Sequence, residues 1–194
     1  MTLTPAAYDF IAHPLAAERW PDLEALFGPR GACGGCWCMV WRLKHAEFER
    51  QKGDANRHDF KAIVESGAVP GLLGYAGSQP IAWCAIAPRE HYPALERSRV
   101  LKAVDDQRVW SVTCLFVARR FRRQGLTVRM LEAAVAHARQ RGARIVEGYP
   151  VEPKTPDMPA AFAWTGTASA FRQAGFVEVL RRSPTRPIMR YIVE

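Results

Sequence analysis

Residues 122–127 read Arg122-Arg123-Gln124-Gly125-Leu126-Thr127 and stand where a continuous apolar run gives way to an amphipathic one. A helix start carries unpaired N–H groups and the positive end of the macrodipole, which together attract an anion. Gly125 lets the main chain pass close to a ligand, and the arginines add long-range attraction. The chemistry this segment suits is the binding of a phosphate or pyrophosphate. A second cluster, Cys33-Gly34-Gly35-Cys36-Trp37-Cys38, brings three thiols within six residues. Thiolates at that spacing can face one ion, with Cys84, Cys114 or His45 to complete four ligands, yet no second pair of ligands follows downstream. Free cysteine is commonly buried as a small apolar residue, and Trp37, Met39, Val40 and Trp41 give the segment an apolar side to bury, so no metal is assigned to it.

A strand must deliver the chain to the phosphate turn and a helix must carry it away. Residues 109–118 are apolar at nearly every position and rich in β-branched and aromatic side chains, which predicts a strand buried on both faces. Leu131, Ala134, Val135 and Ala138 form the stripe of a helix over 126–141, closed by Gly142. Residues 144–151 read as another strand, so a right-handed parallel crossover follows. Upstream, an extended start over 8–15 precedes a helix over 16–27 that Gly28 and Pro29 end. A glycine-rich loop over 31–35 leads to helical spacing over 36–51 and a helix over 57–66. Residues 71–88 read as a hairpin turning at Ala76-Gly77-Ser78-Gln79-Pro80. Downstream come a proline-rich loop at 153–159, a helix over 166–174 and strands to 192. The prediction is one α/β domain over residues 1–194 with a mixed, mostly antiparallel sheet.

A chain of 194 residues with 48% hydrophobic and 24% charged residues can enclose a core, which excludes general disorder. It lacks the ~20 apolar residues of a membrane span. Asp9, His13, Glu18 and Arg19 occupy the place of a signal peptide's apolar run. The expectation is a soluble, cytoplasmic protein that does not engage a membrane. Five cysteines without an export signal read as free thiols. A net charge of +8 fits an anionic partner or a solvated basic face. Arg119, Arg120, Arg122 and Arg123 form no helical recognition stripe and have no interleaved aromatic platform, so nucleic acid is not the expected partner.

The phosphate turn has a specific context: Leu115-Phe116-Val117 before it, Phe121 beside it, and Met130-Leu131 one turn into the helix. In that context it resembles the pyrophosphate signature of the GNAT superfamily of acyl-CoA-dependent N-acetyltransferases: Arg or Gln, two residues, Gly, one residue, then Gly or Ala. The run Ala170-Phe171-Arg172-Gln173-Ala174-Gly175-Phe176-Val177-Glu178-Val179 resembles the helix, Gly-Phe turn and strand that close the same fold. The resemblance implies a GNAT-like fold with helices on both faces of the sheet, acetyl-CoA as acyl donor and an amine as acceptor. It further implies that the main chain of Leu115, Phe116 and Val117 pairs with pantetheine, and that Arg122, Arg123, Gln124, Gly125, Leu126 and Thr127 hold the pyrophosphate. On this reading residues 109–151 are the donor-binding core and residues 28–60 an acceptor-side insert. Thr127 departs from the signature's final Gly or Ala; its hydroxyl donates to a phosphate or caps the helix. Phe171 stands where many members carry the tyrosine that protonates the departing thiolate.

Acyl transfer to an amine needs a group that takes the ammonium proton and donors for the oxyanion. Candidate bases are Glu147, Glu90, His91 and Glu152, and candidate proton donors to the thiolate are Tyr149 and Ser169. Spacing selects none of them. The resemblance implies that Trp37 and Trp41 lie beside the acceptor, and Glu90 is expected there with them. The leading reading is transfer of an acetyl group to a primary amine of a small molecule by direct attack in a ternary complex. The alternatives are a protein or peptide amine as acceptor, or a thiol-based metal or redox sensor on the same fold. The oligomeric state stays open, a homodimer included.

Overall fold

The computed structural model describes residues 9–153 and 163–193. Strand β1 (Phe10–Pro14) leads through a short 3₁₀ turn to helix α1 (Trp20–Phe27). A run of turns separates α1 from α2 (His45–Gln51) and α3 (Asp54–Glu65). The hairpin of β2 (Gly71–Ala76) and β3 (Gln79–Pro88) is followed by the short α4 (Pro93–Glu96). Next come β4 (Trp110–Val117), α5 (Leu126–Gln140) and β5 (Ile145–Gly148), the expected strand, helix, strand succession. Helix α6 (Ala168–Gln173), β6 (Val177–Arg181) and β7 (Pro187–Ile192) complete the described chain. Most of the proline-rich loop expected at 153–159 lies outside the described residues.

The strands form one seven-stranded sheet in the order β1-β2-β3-β4-β5-β7-β6. Among the described residues β4 and β5 are its parallel pair, and the other neighbours are antiparallel. Strand alternation sends side chains to two cores. Leu72, Cys84 and Val112 pack against Leu131, Ala134 and Phe171 of α5 and α6. Leu73, Trp83 and Cys114 pack against Leu23, Phe27, Phe60 and Val64 of α1 and α3. Helices therefore cover both faces, as the resemblance implied. No helix among the described residues is long and apolar enough to cross a membrane.

The end of α5 shows how local sequence sets these elements. Gly142 adopts φ +77°. Its N–H donates to Arg139 at 2.9 Å and that of Ala143 donates to Ala138 at 3.0 Å, a Schellman closure that satisfies two terminal carbonyls. Upstream, the helix expected over 36–51 forms only from His45. Trp37 and Cys38 sit at φ 42° and 57°, in the left-handed region that breaks a right-handed helix. Packing explains the difference: the Trp37 ring stacks on Trp20 at 6.0 Å and meets Phe27 at 5.7 Å. Cys38 Sγ also accepts from the buried Trp83 Nε1 at 3.1 Å.

The C-terminal arginines are not simply a solvated basic face. Arg181 and Arg172 bind Glu152, Arg182 donates to the carbonyls of Val100, Lys102 and Ala103, and Arg190 binds Asp105 and Glu147.

His137 on α5 is 5% exposed. Its Nδ1 accepts from Arg141 Nη1 at 3.2 Å, and its Nε2 has no partner among the described residues. Burial, then the Arg141 charge, pushes its pKa down to about 4. The unfolded chain then binds the proton first, so this contribution is complete above the ordinary value near 6.5 and is lost as pH falls toward 4. Urea unfolding should show the native chain losing on the order of 2 kcal/mol more than His137→Gln between pH 7 and pH 4.5.

Candidate active site

Three rungs join β4 to β5: Trp110 to Val146, Ser111 to Glu147 and Val112 to Gly148. There the pairing stops. The register of β4 on β3 shifts between Ala85 opposite Cys114 and Ile86 opposite Val112, so Thr113 is the extra residue of a bulge. A bulge bends its strand and raises the local twist, which turns β4 away from β5 where pairing ends. Gly148 sits at this fork because a Cβ there would lie 2.0 Å from Phe171 Cε1.

Beyond the fork, one edge of β4 faces a cleft. Ala118 N–H donates to Ile81 O on β3 at 2.9 Å, so by antiparallel alternation Phe116 also turns its main-chain groups to β3. Leu115 and Val117 turn theirs to the cleft. Leu115 N–H is taken by Trp164 O at 2.7 Å. Val117 O accepts from Arg122 Nε at 2.9 Å, which draws the turn against the strand end. Of the three residues expected along the donor, Leu115 and Val117 turn their main chain to the cleft and Phe116 presents its side chain.

The turn has the geometry of an anion cradle. Arg123 and Gly125 have φ of 62° and 74°, and α5 begins directly after. The helix's first bonds run from Val128 and Arg129 to Gly125 O, so the helix itself does not use the N–H groups of Gly125, Leu126 and Thr127. A Cβ at Gly125 would meet nothing within 4 Å. The glycine therefore serves backbone conformation and open space rather than packing.

Two adjoining cavities of about 270 and 210 Å³ run along this edge and share Val117, Arg122 and Thr127. The larger is walled by Leu115, Phe116, Trp164, Thr167, Ala32 and Cys33. The smaller holds Arg123, Gly125 and Leu126 on one bank and Ser169 on the other. Trp164 stacks on Trp41 at 5.8 Å, so Trp41 backs the wall without lining it. Gln124 lies in the turn, its Nε2 donating to Arg120 O at 3.2 Å.

Other expected site residues lie elsewhere. Glu147 is 1% exposed and its carboxylate accepts from Tyr149 at 2.8 Å, Arg89 at 3.1 Å and Arg190 at 2.7 Å. Tyr149 is buried among the same groups, its hydroxyl 2.8 Å from Ser111 Oγ and 2.5 Å from Arg89 Nη1. Burial, then the Glu147 charge, pushes its phenol well above the ordinary range. Both belong to a closed ion network beside the paired half of β4. Glu152 is held down to about 2 by hydrogen bonds from Arg172 and Arg181, which makes it a weak base. Glu90 borders a cavity with Val109 and Trp110, a strand length of roughly 20 Å from Val117. His91 gives its carbonyl to Arg42 at 3.5 Å. Phe171 is fully buried, 4.9 Å from the Phe176 ring, and floors the fork beneath Gly148 and Gly166. Trp37, 3% exposed, is core rather than pocket wall. Trp164 and Thr167 were not expected in the cleft; they follow the proline-rich segment, where no periodicity marks which side chain turns inward. Among the described residues no group of three or more His, Cys, Asp or Glu is disposed to hold a metal.

Residues 37–157 match the acetyltransferase (GNAT) family. The chain belongs to the GNAT acetyltransferase family. The match covers the forked strands and the phosphate turn, and acetyl-CoA is the acyl donor of GNAT enzymes. A GNAT acetyltransferase from Listeria monocytogenes has the same fold, with a TM-score of 0.60, 10% identity and 98% of each chain covered. A mosquito enzyme, the putative arylalkylamine N-acetyltransferase 7 of Aedes aegypti, superposes with a TM-score of 0.57 at 10% identity over 95% of this chain and 88% of its own. The PaiA N-acetyltransferase of Thermoplasma acidophilum, solved with coenzyme A, gives 0.52 at 12% identity over 95% of this chain and 99% of its own. No curated protein sequence matches closely enough to count as a relative of this GNAT chain.

Proposed function

We propose that this chain transfers an acetyl group from acetyl-CoA to a primary amine of a small molecule, with both substrates bound together. The observation that carries the reading is the fork of β4 and β5, which opens a cleft ending at the left-handed turn and the start of α5. Acetyl-CoA supplies the activated thioester. Arg123, Gly125, Leu126 and Thr127 offer main-chain donors to its pyrophosphate, and Ser169 faces them from the other bank. Val117 N–H, at the open edge of β4, suits the pantetheine arm or the acyl oxygen. Trp164 O on Leu115 N–H marks where an amide carbonyl of the donor would otherwise pair.

The space that acetyl-CoA would leave within the partly walled cavity of about 270 Å³ favours a small acceptor over a protein segment. The mosquito relative is named for arylalkylamines, and the aromatic wall built by Trp164 on Trp41 suits an acceptor with a flat apolar body. Thiol release from acetyl-CoA, followed across arylalkyl, aliphatic and polycationic amines and a lysine peptide, tests this. The expected result is turnover with small amines and little with the peptide; turnover confined to the peptide overturns the reading. Trp164→Ala should raise the KM of the preferred amine about 3- to 10-fold, the worth of one aromatic stack, with the acetyl-CoA Kd nearly unchanged.

A further inference from the structure

The acyl-transfer reading leaves the cysteines of the strap between α1 and α2 without a role. That strap is an unusual piece of backbone. Gly31, Ala32, Gly34, Gly35, Trp37 and Cys38 all have positive φ, three of them in residues that disfavour it. Gly35 fixes the strap to α3, its carbonyl accepting from Gly53 N at 3.0 Å and from Asn56 Nδ2 at 3.2 Å. Within it Cys36 N–H donates to Cys33 O at 3.1 Å. A turn closed in this way holds its first and fourth Cα atoms within about 7 Å, near the span a disulfide bridges. The two thiols differ in setting: Cys33 is exposed and lines the larger cavity, whereas Cys36 is half-buried with Sγ 3.6 Å from Gly31 O.

We propose that Cys33 and Cys36 form a dithiol–disulfide couple at the mouth of the cleft, oxidised by exchange with a small-molecule disulfide. The thiolate of Cys33 attacks one sulfur of the small disulfide, forming a mixed disulfide and releasing one thiolate. Cys36 then passes its proton, through water, to the released small-molecule thiolate and attacks the Cys33 sulfur. The protein disulfide closes and the second thiolate leaves, so two protein thiols are oxidised while one small disulfide becomes two thiols. The order follows from access. Burial, then neighbouring thiols, pushes the Cys36 thiol up to about 11, so the exposed Cys33 is the thiol that attacks first and Cys36 the one that resolves. Because Ala32 and Cys33 wall the cavity, closing the couple reshapes that wall. The couple itself is independent of the acyl-CoA reading; its effect on donor binding rests on it.

The test uses the full chain equilibrated in reduced and oxidised glutathione mixtures, quenched with acid, alkylated and mapped by mass spectrometry. Expected on oxidation are the loss of two hydrogens in mass, the loss of two alkylation sites, and a link between Cys33 and Cys36. Cys36→Ser should trap glutathione on Cys33, Cys33→Ser should abolish the oxidation, and Cys38→Ser should leave it intact. A link mapping to Cys36 and Cys38 or to Cys38 and Cys114, or both thiols staying alkylatable in fully oxidised buffer, overturns the proposal. In the reduced chain acetyl-CoA should slow alkylation of Cys33. A disulfide that forms without such protection supports the couple and contradicts the acyl-CoA reading of the cleft.

Discussion

Glu147→Ala lowers the stability of this chain by about 3–5 kcal/mol, because it strips the shared anion from two buried arginines. The side chains of Glu147, Arg190 and Arg89 are 1%, 7% and 10% exposed, and the carboxylate touches both guanidinium groups. Arg89 keeps Glu96 and Arg190 keeps Asp105, but those carboxylates are 54% and 37% exposed, so removing the one buried carboxylate leaves the inner side of both guanidinium groups and the Tyr149 hydroxyl without their shared acceptor. Urea unfolding at neutral pH measures the loss, and the melting temperature should fall on the order of 10 °C. A loss under about 1 kcal/mol would show that the network holds without its centre. The nearly isosteric Glu147→Gln separates structure from chemistry. If Glu147 does not take the substrate's proton, turnover by the folded protein stays within about tenfold of native, whereas a general base would cost roughly 100-fold or more.

Gly125→Glu weakens acetyl-CoA at least about 100-fold while leaving the sheet intact. A side chain here meets open space, so the cost to folding is the left-handed φ of 74°, about 1–2 kcal/mol. The cost to binding is larger. A carboxylate placed among the N–H groups at the start of α5 competes for donors that would hold the pyrophosphate and repels its charge. Two lost charge-assisted hydrogen bonds account for about 3 kcal/mol, which is that factor of 100. Calorimetric titration, with circular dichroism on the same samples, reads both effects. Native-like affinity in the variant would remove the turn from the binding site.

The elements that carry strong periodicity or a backbone demand are legible in the sequence alone. The β4–α5–β5 succession, the hairpin, and the Gly125 and Gly142 turns follow from patterning that tertiary context reinforces. What escaped was decided by side chains distant in sequence. The helical spacing of residues 36–44 yields to Trp37 stacking on Trp20 and to Cys38 accepting from Trp83. Glu147 and Tyr149 look like chemistry in one dimension, and only the arrival of Arg89 from the turn after β3 and of Arg190 from β7 shows them to be an ion network. Trp164 reaches the cleft because its carbonyl meets Leu115 N–H, a pairing across 49 residues that no local pattern encodes.

Hydrogen–deuterium exchange with and without acetyl-CoA tests most directly that the fork of β4 and β5 and the turn before α5 form the donor site. Slowed exchange confined to peptides spanning residues 115–118 and 123–128 is the predicted result. Saturating acetyl-CoA that leaves those peptides unchanged, or protects only segments remote from the fork, would contradict it.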